Sequence, residues 1–137
     1  MRKSWGERVI IGLKRDVVEL ADYNPAWEAV AANTIRRLWR IFGPVARDIQ
    51  HVGSTAIPSI KAKPVIDIAV AVDHFEDVAA LIPALAKDGW TQSRLHAVAN
   101  DMLFVDDDEA GDTRTHHIHI VLYGSGQWHN YINLRDY

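Results

Sequence analysis

The chain has 137 residues, a length that suits one domain with its own hydrophobic core. Its 15 Lys and Arg residues against 18 Asp and Glu residues leave a net charge of −3, which disfavours nucleic acid as a partner. The chain has no cysteine, and no apolar run reaches the roughly 18–20 residues that a membrane span needs. These features exclude disulfides and thiolate metal sites, and they favour a cytoplasmic protein without a membrane partner.

The N-terminal part divides into a lead-in and the start of a domain. Residues 1–16 are basic and weakly patterned, so we expect a loose lead-in, followed by a single domain over residues 17–137. Residues 17–20 are a short strand candidate. Asn24 can cap a helix and Pro25 suits its first position, while Gly43-Pro44 would stop it. Apolar residues at helical spacing between these signals predict an amphipathic helix over residues 25–42.

Two strands and a turn form the middle of the chain. Residues 48–52 predict a strand that runs into the turn Gly53-Ser54-Thr55. Residues 65–72 are apolar on both faces, which indicates a central strand covered on both sides. The region between them carries two prolines and is not expected to form one regular element.

The second half alternates between helix and strand patterns. Asp73 and Glu76 predict a capping box for the next helix, in which Pro83 either introduces a kink or begins a second helix. Residues 90–94, 102–105 and 115–123 are strand candidates, with an acidic loop over residues 106–113. Ser125 is expected to cap a final helix. Together these elements predict an α+β fold.

Asp67 is the most informative residue because it is a carboxylate within a central apolar strand. Alternation places Val65, Asp67, Ala69 and Ala71 on one face of that strand. A charge in such a place is costly unless it is paired, hydrogen-bonded or bound to metal. The small neighbours Ala69 and Ala71 suggest room for a ligand, although a purely structural hydrogen bond to Asp67 is the alternative.

The turn Gly53-Ser54-Thr55 is a candidate phosphate-binding loop. Glycine lets a backbone approach a ligand closely, and hydroxyl and amide groups can hold phosphate oxygens. Lys61 and Lys63 follow and would add positive charge, although two solvated loop lysines explain the pattern equally well.

The histidines suggest a metal or acid–base cluster. His117 and His119 are two residues apart on a strand and therefore share a face, while His116 points the other way. If their strand lies beside that of Asp67, the three side chains can bind a divalent metal. His51, just before the glycine turn, would complete a four-residue constellation as a general base or a ligand.

These segments together resemble the GrpB family of nucleotidyltransferase-like proteins. The resemblance lies in residues 18–27, in residues 51–67 (His-Val-Gly-Ser-Thr-Ala-Ile-Pro-Ser-Ile-Lys-Ala-Lys-Pro-Val-Ile-Asp), in His117-Ile-His119 and in residues 128–137. It implies a nucleotidyltransferase-like mixed β-sheet flanked by helices. It also implies that family members continue beyond Tyr137, and a homo-oligomer is compatible with a short last helix.

The superfamily pattern has Gly-Ser after one strand and Asp-x-Asp on the next, with the carboxylates holding divalent metal. Gly53, Ser54 and Asp67 match this pattern, whereas Ala69 stands where the second carboxylate is expected. The resemblance therefore implies metal-dependent binding or transfer of a nucleotide or phosphorylated small molecule. Mg²⁺ or Mn²⁺ would serve as the cofactor, with Zn²⁺ as the alternative.

In that interpretation Asp67 and His51 are catalytic. Gly53, Ser54, Thr55 and Lys63 bind phosphate, and Asp67, His117 and His119 hold the metal. Two alternatives stay open: a binding or regulatory module that has lost catalysis, which Ala69 favours, and a His/Asp metal-dependent hydrolase.

Overall fold

A five-stranded mixed sheet forms the centre of the computed structural model, which describes residues 13–14, 22–57, 65–93, 101–106, 113–114 and 116–136. The strands of this sheet are β2 Ala46–Val52, β3 Ile66–Val72, β4 Trp90–Gln92, β5 Asp101–Asp106 and β7 His116–Leu122. Their order in the sheet is β2-β3-β7-β5-β4, with β3 and β7 parallel and all other neighbours antiparallel. The predicted central position of β3 is confirmed, because β3 has a hydrogen-bonded neighbour on each side.

Helices cover both faces of the sheet, as predicted for an α+β fold. They are α1 Ala26–Phe42, α2 Phe75–Ala79, α3 Ile82–Lys87 and α4 Gly126–Asp136. The face of β3 that carries Ile66, Ile68, Val70 and Val72 packs in one core with α1, α2 and α3. Ala69 and Ala71 on the other face pack against Trp128 of α4. Full burial of each large apolar side chain in these layers contributes about 1.5–3 kcal/mol.

The first helix closely follows its sequence signals. The Asn24 side chain accepts a hydrogen bond from the backbone N–H of Ala26 at 2.9 Å, which confirms the predicted cap. Trp27 and Leu38 are buried on the face toward the sheet. The backbone at Gly43, with φ of +50°, ends the helix.

The N-termini of α2 and α3 differ in part from the prediction. The prediction of a capping box by Asp73 and Glu76 is wrong. Helix α2 begins at Phe75 after His74, and no side chain of the described residues caps it. The Asp73 carboxylate instead accepts a hydrogen bond from Arg47 at 3.0 Å. Pro83 lies in the first turn of a separate helix, α3, which decides between the two predicted outcomes.

A second, two-stranded sheet pairs β1 Leu13–Lys14 antiparallel with β6 Thr113–Arg114. At least this part of the predicted loose lead-in therefore has regular structure. The strand candidate at residues 17–20, the loop residues 107–112, Lys61 and Lys63 lie outside the described residues. Within the described ranges, no helix combines the length and apolar character needed to cross a bilayer.

Candidate metal and ligand site

Two adjacent parallel strands bring Asp67, His117 and His119 together. The register pairs Asp67 of β3 with His117 of β7, and Ala69 with His119. Because side chains two residues apart share a face, both histidines point to the side of the sheet that carries Asp67. His119 Nε2 lies 3.2 Å from Asp67 Oδ1, and His117 Nδ1 lies 3.6 Å from the same oxygen. The cluster predicted from three separated residues is thus formed by the β3–β7 pairing.

The donor atoms of this cluster suit a single cation. One nitrogen from each histidine and one Asp67 oxygen lie within 4.8 Å of one another. The His119 side chain is 12% exposed, whereas His117 is 34% and Asp67 25% exposed, so the cluster is open to solvent on the His117 side. The two imidazole rings stand nearly perpendicular, at 85°, with centroids 6.2 Å apart. Solvent can therefore reach the space between the Asp67 carboxylate and the two imidazole rings.

Opposing electrostatic effects act on Asp67. Burial by itself raises the pKa of the carboxyl group, but the favourable interactions of the carboxylate with His117 and His119 outweigh this effect. The pKa of Asp67 is consequently lowered, and the group is a carboxylate at neutral pH. An ionised carboxylate only accepts hydrogen bonds, so His119 faces it as a donor, and both histidines would be its fellow ligands on a metal.

Gly53 packs directly against this carboxylate. Val52 is the β2 residue paired with Asp67, so the turn begins beside the cluster. The backbone at Gly53 has φ of +73°, and a Cβ placed there would meet Asp67 Oδ2 at 2.5 Å. Glycine is required twice over, for the left-handed conformation and for the close approach. Ser54 follows at the start of a short 3₁₀ turn over Ser54–Ala56.

His51 and Thr55 lie apart from the cluster. Because Val52 pairs with Asp67, alternation directs His51 to the opposite face of the sheet. There His51 Nε2 lies 3.0 Å from Thr55 Oγ1, and burial lowers the pKa of His51 despite the nearby carboxylate of Asp67. Thr55 is fully buried, and its hydroxyl also donates to the Val65 carbonyl at 3.3 Å. The structure thus divides the predicted four-residue constellation, and it engages the Thr55 hydroxyl in contacts within the chain.

A cleft of about 320 Å³ opens on the same side as His51. Residues of α1, β2, the 3₁₀ turn and the end of α4 line it, including Glu28, His51, Ala56 and Arg135. Arg135 donates a hydrogen bond to the Gln50 side chain at 2.7 Å and so ties α4 to the edge strand β2. The cleft lies along the edge strand β2 and adjoins the 3₁₀ turn that follows Gly53.

Helix α4 occupies the space that the sequence suggested for a ligand. Trp128 packs on Ala69 and Ala71, both of which are fully buried. The small residues of β3 therefore accommodate a helix rather than an open cavity. Position 69, where the superfamily pattern places a second carboxylate, is buried in the same cluster as this indole.

Sequence reasoning missed Tyr131. Its hydroxyl lies 3.1 Å from His119 Nδ1, and its ring lies over the imidazole with centroids 5.0 Å apart. The only signal in the sequence is its position three residues after Trp128, which places both on one face of a helix. Until α4 is placed against β7, nothing connects Tyr131 with a histidine.

Known proteins are similar to this chain in sequence. The family model described as GrpB protein matches residues 17–137. The glutamate-rich protein GrpB of Alkalihalophilus pseudofirmus is 32% identical over 130 residues, which are 93% of this chain and 75% of that protein. The UPF0157 protein YqkA of Bacillus subtilis is 32% identical over 120 residues, 88% of this chain. The chain spans about a third of YqkA, since the match covers 34% of that protein.

Solved structures resemble this protein as well. The crystal structure of the conserved protein GrpB from Enterococcus faecalis superposes with a TM-score of 0.79 at 26% identity, covering 87% of this chain and 71% of that one. The Cid1 poly(U) polymerase bound to MgGTP superposes with a TM-score of 0.56 at 15% identity, over 85% of this chain and 38% of that one. The second likeness confirms the nucleotidyltransferase-like fold. Together with the family-model match, the first shows that the chain belongs to the GrpB family.

Proposed function

We propose that this protein binds a nucleotide or another phosphorylated small molecule together with a divalent metal held by Asp67, His117 and His119. The observation that carries the proposal is the convergence of three donor atoms within 4.8 Å beside a glycine turn. The nucleotidyltransferase-like fold supports a nucleotide as the ligand, since Cid1, which has this fold, is described as bound to MgGTP. Transfer of a phosphorus-containing group is the activity that this fold suggests.

The donor set fits a first-row transition metal better than Mg²⁺. Two imidazole nitrogens and one carboxylate oxygen match the ligands of Zn²⁺ and related ions, whereas Mg²⁺ prefers oxygen ligands throughout. We therefore expect Mn²⁺ or Zn²⁺ to bind more tightly than Mg²⁺. When bound, such an ion supplies positive charge that stabilises negative charge on phosphate oxygens.

The chain's own residues have distinct roles in this proposal. Asp67 contributes the anionic ligand, and its Oδ1 atom lies 3.2 Å from His119 Nε2 and 3.6 Å from His117 Nδ1. Gly53 has no Cβ, which lets the Asp67 carboxylate pack against the turn that is proposed to bind phosphate. Lys63 is predicted to meet phosphate, and Ser54 to contribute to the phosphate-binding turn.

A metal-dependent hydrolase is the second candidate, and one observation favours it. Position 69 is an alanine, so β3 contributes a single carboxylate, Asp67, rather than the pair that a two-metal site needs. Two histidines and one carboxylate, with one side of the site open to solvent, also match the protein ligands of catalytic zinc sites. This candidate predicts phosphate or ester cleavage without any acceptor. A binding module would show metal-dependent binding without turnover.

The test is calorimetric titration of the wild-type protein and Asp67→Asn with Mn²⁺, Zn²⁺ and Mg²⁺, followed by the four ribonucleoside triphosphates. Asparagine preserves the shape of the side chain but removes the anionic ligand. We expect Mn²⁺ or Zn²⁺ binding that weakens at least ~10-fold in Asp67→Asn, because the metal loses its anionic ligand. Nucleotide binding should require the metal.

Asp73→Asn is the matched control, because it removes a carboxylate that pairs with Arg47 at the surface. It should bind metal as the wild-type protein does. Wild-type protein that binds none of the three metals, or Asp67→Asn that binds them equally well, would contradict the proposal. Incubation of the metal-loaded protein with each triphosphate then separates cleavage, transfer to an added acceptor and binding alone.

A further inference from the structure

His119 is held from both sides, by Asp67 on β3 and by Tyr131 on α4. Its Nε2 atom lies 3.2 Å from Asp67 Oδ1, and its Nδ1 atom lies 3.1 Å from the Tyr131 hydroxyl. The Tyr131 ring is tilted 38° to the imidazole, with centroids 5.0 Å apart. The ring of His119 therefore has a defined orientation before any ligand arrives.

The hydrogen-bond chemistry assigns the proton of the neutral ring. A carboxylate only accepts hydrogen bonds, so the nitrogen that faces Asp67, Nε2, must carry the proton. Nδ1 then has a lone pair and accepts a hydrogen bond from the Tyr131 hydroxyl. In the metal-free protein, the chain of hydrogen bonds runs from Tyr131 to His119 to Asp67.

We infer that Tyr131 is a positioning residue that presents His119 Nε2 to the metal. This inference rests on the metal site proposed above. Nδ1 is engaged by Tyr131, so Nε2 is the nitrogen available to coordinate, and it points at the Asp67 oxygen that would be a fellow ligand. Ligand histidines generally bond through their second nitrogen to a neighbouring group, which fixes the ring and its tautomer.

A hydroxyl suits this task because it can donate or accept. Coordination through Nε2 requires the lone pair of that nitrogen, so the single proton of the neutral imidazole moves to Nδ1. The Nδ1–H group then donates to the Tyr131 oxygen, whose own hydrogen rotates away. The number of protons on the imidazole is unchanged. Tyr131 therefore satisfies Nδ1 in both states, which a fixed donor such as an amide N–H could not do.

Tyr131 also packs against the small core under α4, so loss of packing must be separated from loss of the hydroxyl. Tyr131→Phe keeps the ring and removes only the oxygen. Tyr123→Phe is the matched control: Tyr123 lies on the turn before α4, is 47% exposed and stacks on Trp128. Both variants lose one phenolic oxygen next to the same helix.

The experiment measures two quantities in the wild-type protein and both variants. The first is the affinity for Zn²⁺ and for Co²⁺, by calorimetry and by the visible absorption of bound Co²⁺. The second is the ¹⁵N chemical shift of His119 Nδ1 and Nε2 by NMR, in metal-free and Zn²⁺-loaded protein. We expect Tyr131→Phe to weaken metal binding about 10- to 100-fold, the usual effect of removing a group that orients a ligand histidine.

In the metal-free wild-type protein, the proton should reside on Nε2, and in the Zn²⁺-loaded protein on Nδ1. Tyr131→Phe should shift the Nδ1 resonance even without metal, whereas Tyr123→Phe should leave affinity and resonances unchanged. Metal binding by wild type that is unaltered in Tyr131→Phe would overturn the inference while leaving the metal site intact. Absence of metal binding by wild type would overturn both, and an Nδ1 resonance indifferent to Tyr131→Phe would refute the hydrogen bond itself.

Discussion

Replacing Gly53 by alanine should destabilise the protein in two separable ways. The backbone at Gly53 has φ of +73°, a conformation that costs a residue with a Cβ roughly 1–2 kcal/mol. The new Cβ would also meet Asp67 Oδ2 at 2.5 Å and the Asp67 Cγ at 3.1 Å, so an atom must move. Gly53→Ala therefore adds a steric conflict to the conformational cost.

The carboxylate cannot move away freely. Its Oδ1 atom lies 3.2 Å from His119 Nε2 and 3.6 Å from His117 Nδ1. Loss of a hydrogen bond to a charged group costs about 1.5–3 kcal/mol, so displacement of Asp67 adds an amount of that order. We expect a total loss of about 2.5–5 kcal/mol in the free energy of unfolding, together with weaker metal binding.

Gly124→Ala isolates the conformational cost. Gly124 has φ of +76°, nearly the value at Gly53, and a Cβ placed there meets no atom within 4 Å. Urea unfolding of the wild-type protein and both variants gives the comparison, with unchanged m-values as the check on two-state behaviour. Gly124→Ala should lose about 1–2 kcal/mol. Equal losses in the two variants would refute the close packing of Gly53 on Asp67.

Two further perturbations test the opposite face of the sheet. Burial lowers the pKa of His51, so between its folded value and the usual value of about 6.5 the unfolded chain binds more protons. Its contribution to stability is therefore complete above pH ~6.5 and is lost as pH falls through the folded pKa. When the free energy of unfolding is measured with urea at a series of pH values, it should change less steeply with pH in His51→Gln than in the wild-type protein. An equally steep dependence on pH in both proteins would contradict this prediction. Thr34→Val removes the buried hydroxyl that lies 3.0 Å from His116 Nε2, so thermal unfolding should reveal a loss of about 1–3 kcal/mol. Thr34→Ser, which keeps the hydroxyl and loses only the methyl group, should lose less, and a Thr34→Val variant as stable as the wild-type protein would contradict a contribution from this hydrogen bond.

Local patterns determined much of the fold. Helix α1 begins and ends within a residue of its predicted bounds, because its cap and stop signals act on neighbouring backbone groups. The alternation along β3 assigned Ile68 and Ala69 to opposite cores, since the two-residue period of a strand is independent of its partners. For the same reason, His117 and His119 could be placed on one face of a strand before their neighbours were known.

The boundary at α2 shows where local patterns fail. Asp73 and Glu76 have the spacing of a capping box, yet Asp73 pairs with Arg47 of β2 and the helix begins two residues later. Arg47 lies at a β-bulge and is distant in sequence, so its competition for the carboxylate is a tertiary effect. A local signal has little weight where a long-range charge offers a better partner.

The sequence predicted the cluster of Asp67, His117 and His119, but it also added His51 and it missed Tyr131. The sequence by itself determined that Asp67 is a carboxylate in an apolar strand and that two histidines share a face, because both follow from strand periodicity. Tertiary structure alone decided the rest. The parallel register of β3 and β7 placed Asp67 opposite His117, the pairing of Val52 with Asp67 directed His51 to the other face, and the docking of α4 brought Tyr131 to His119. Strand order, register and helix docking are set by packing between segments that are far apart in the chain, and no local pattern encodes them.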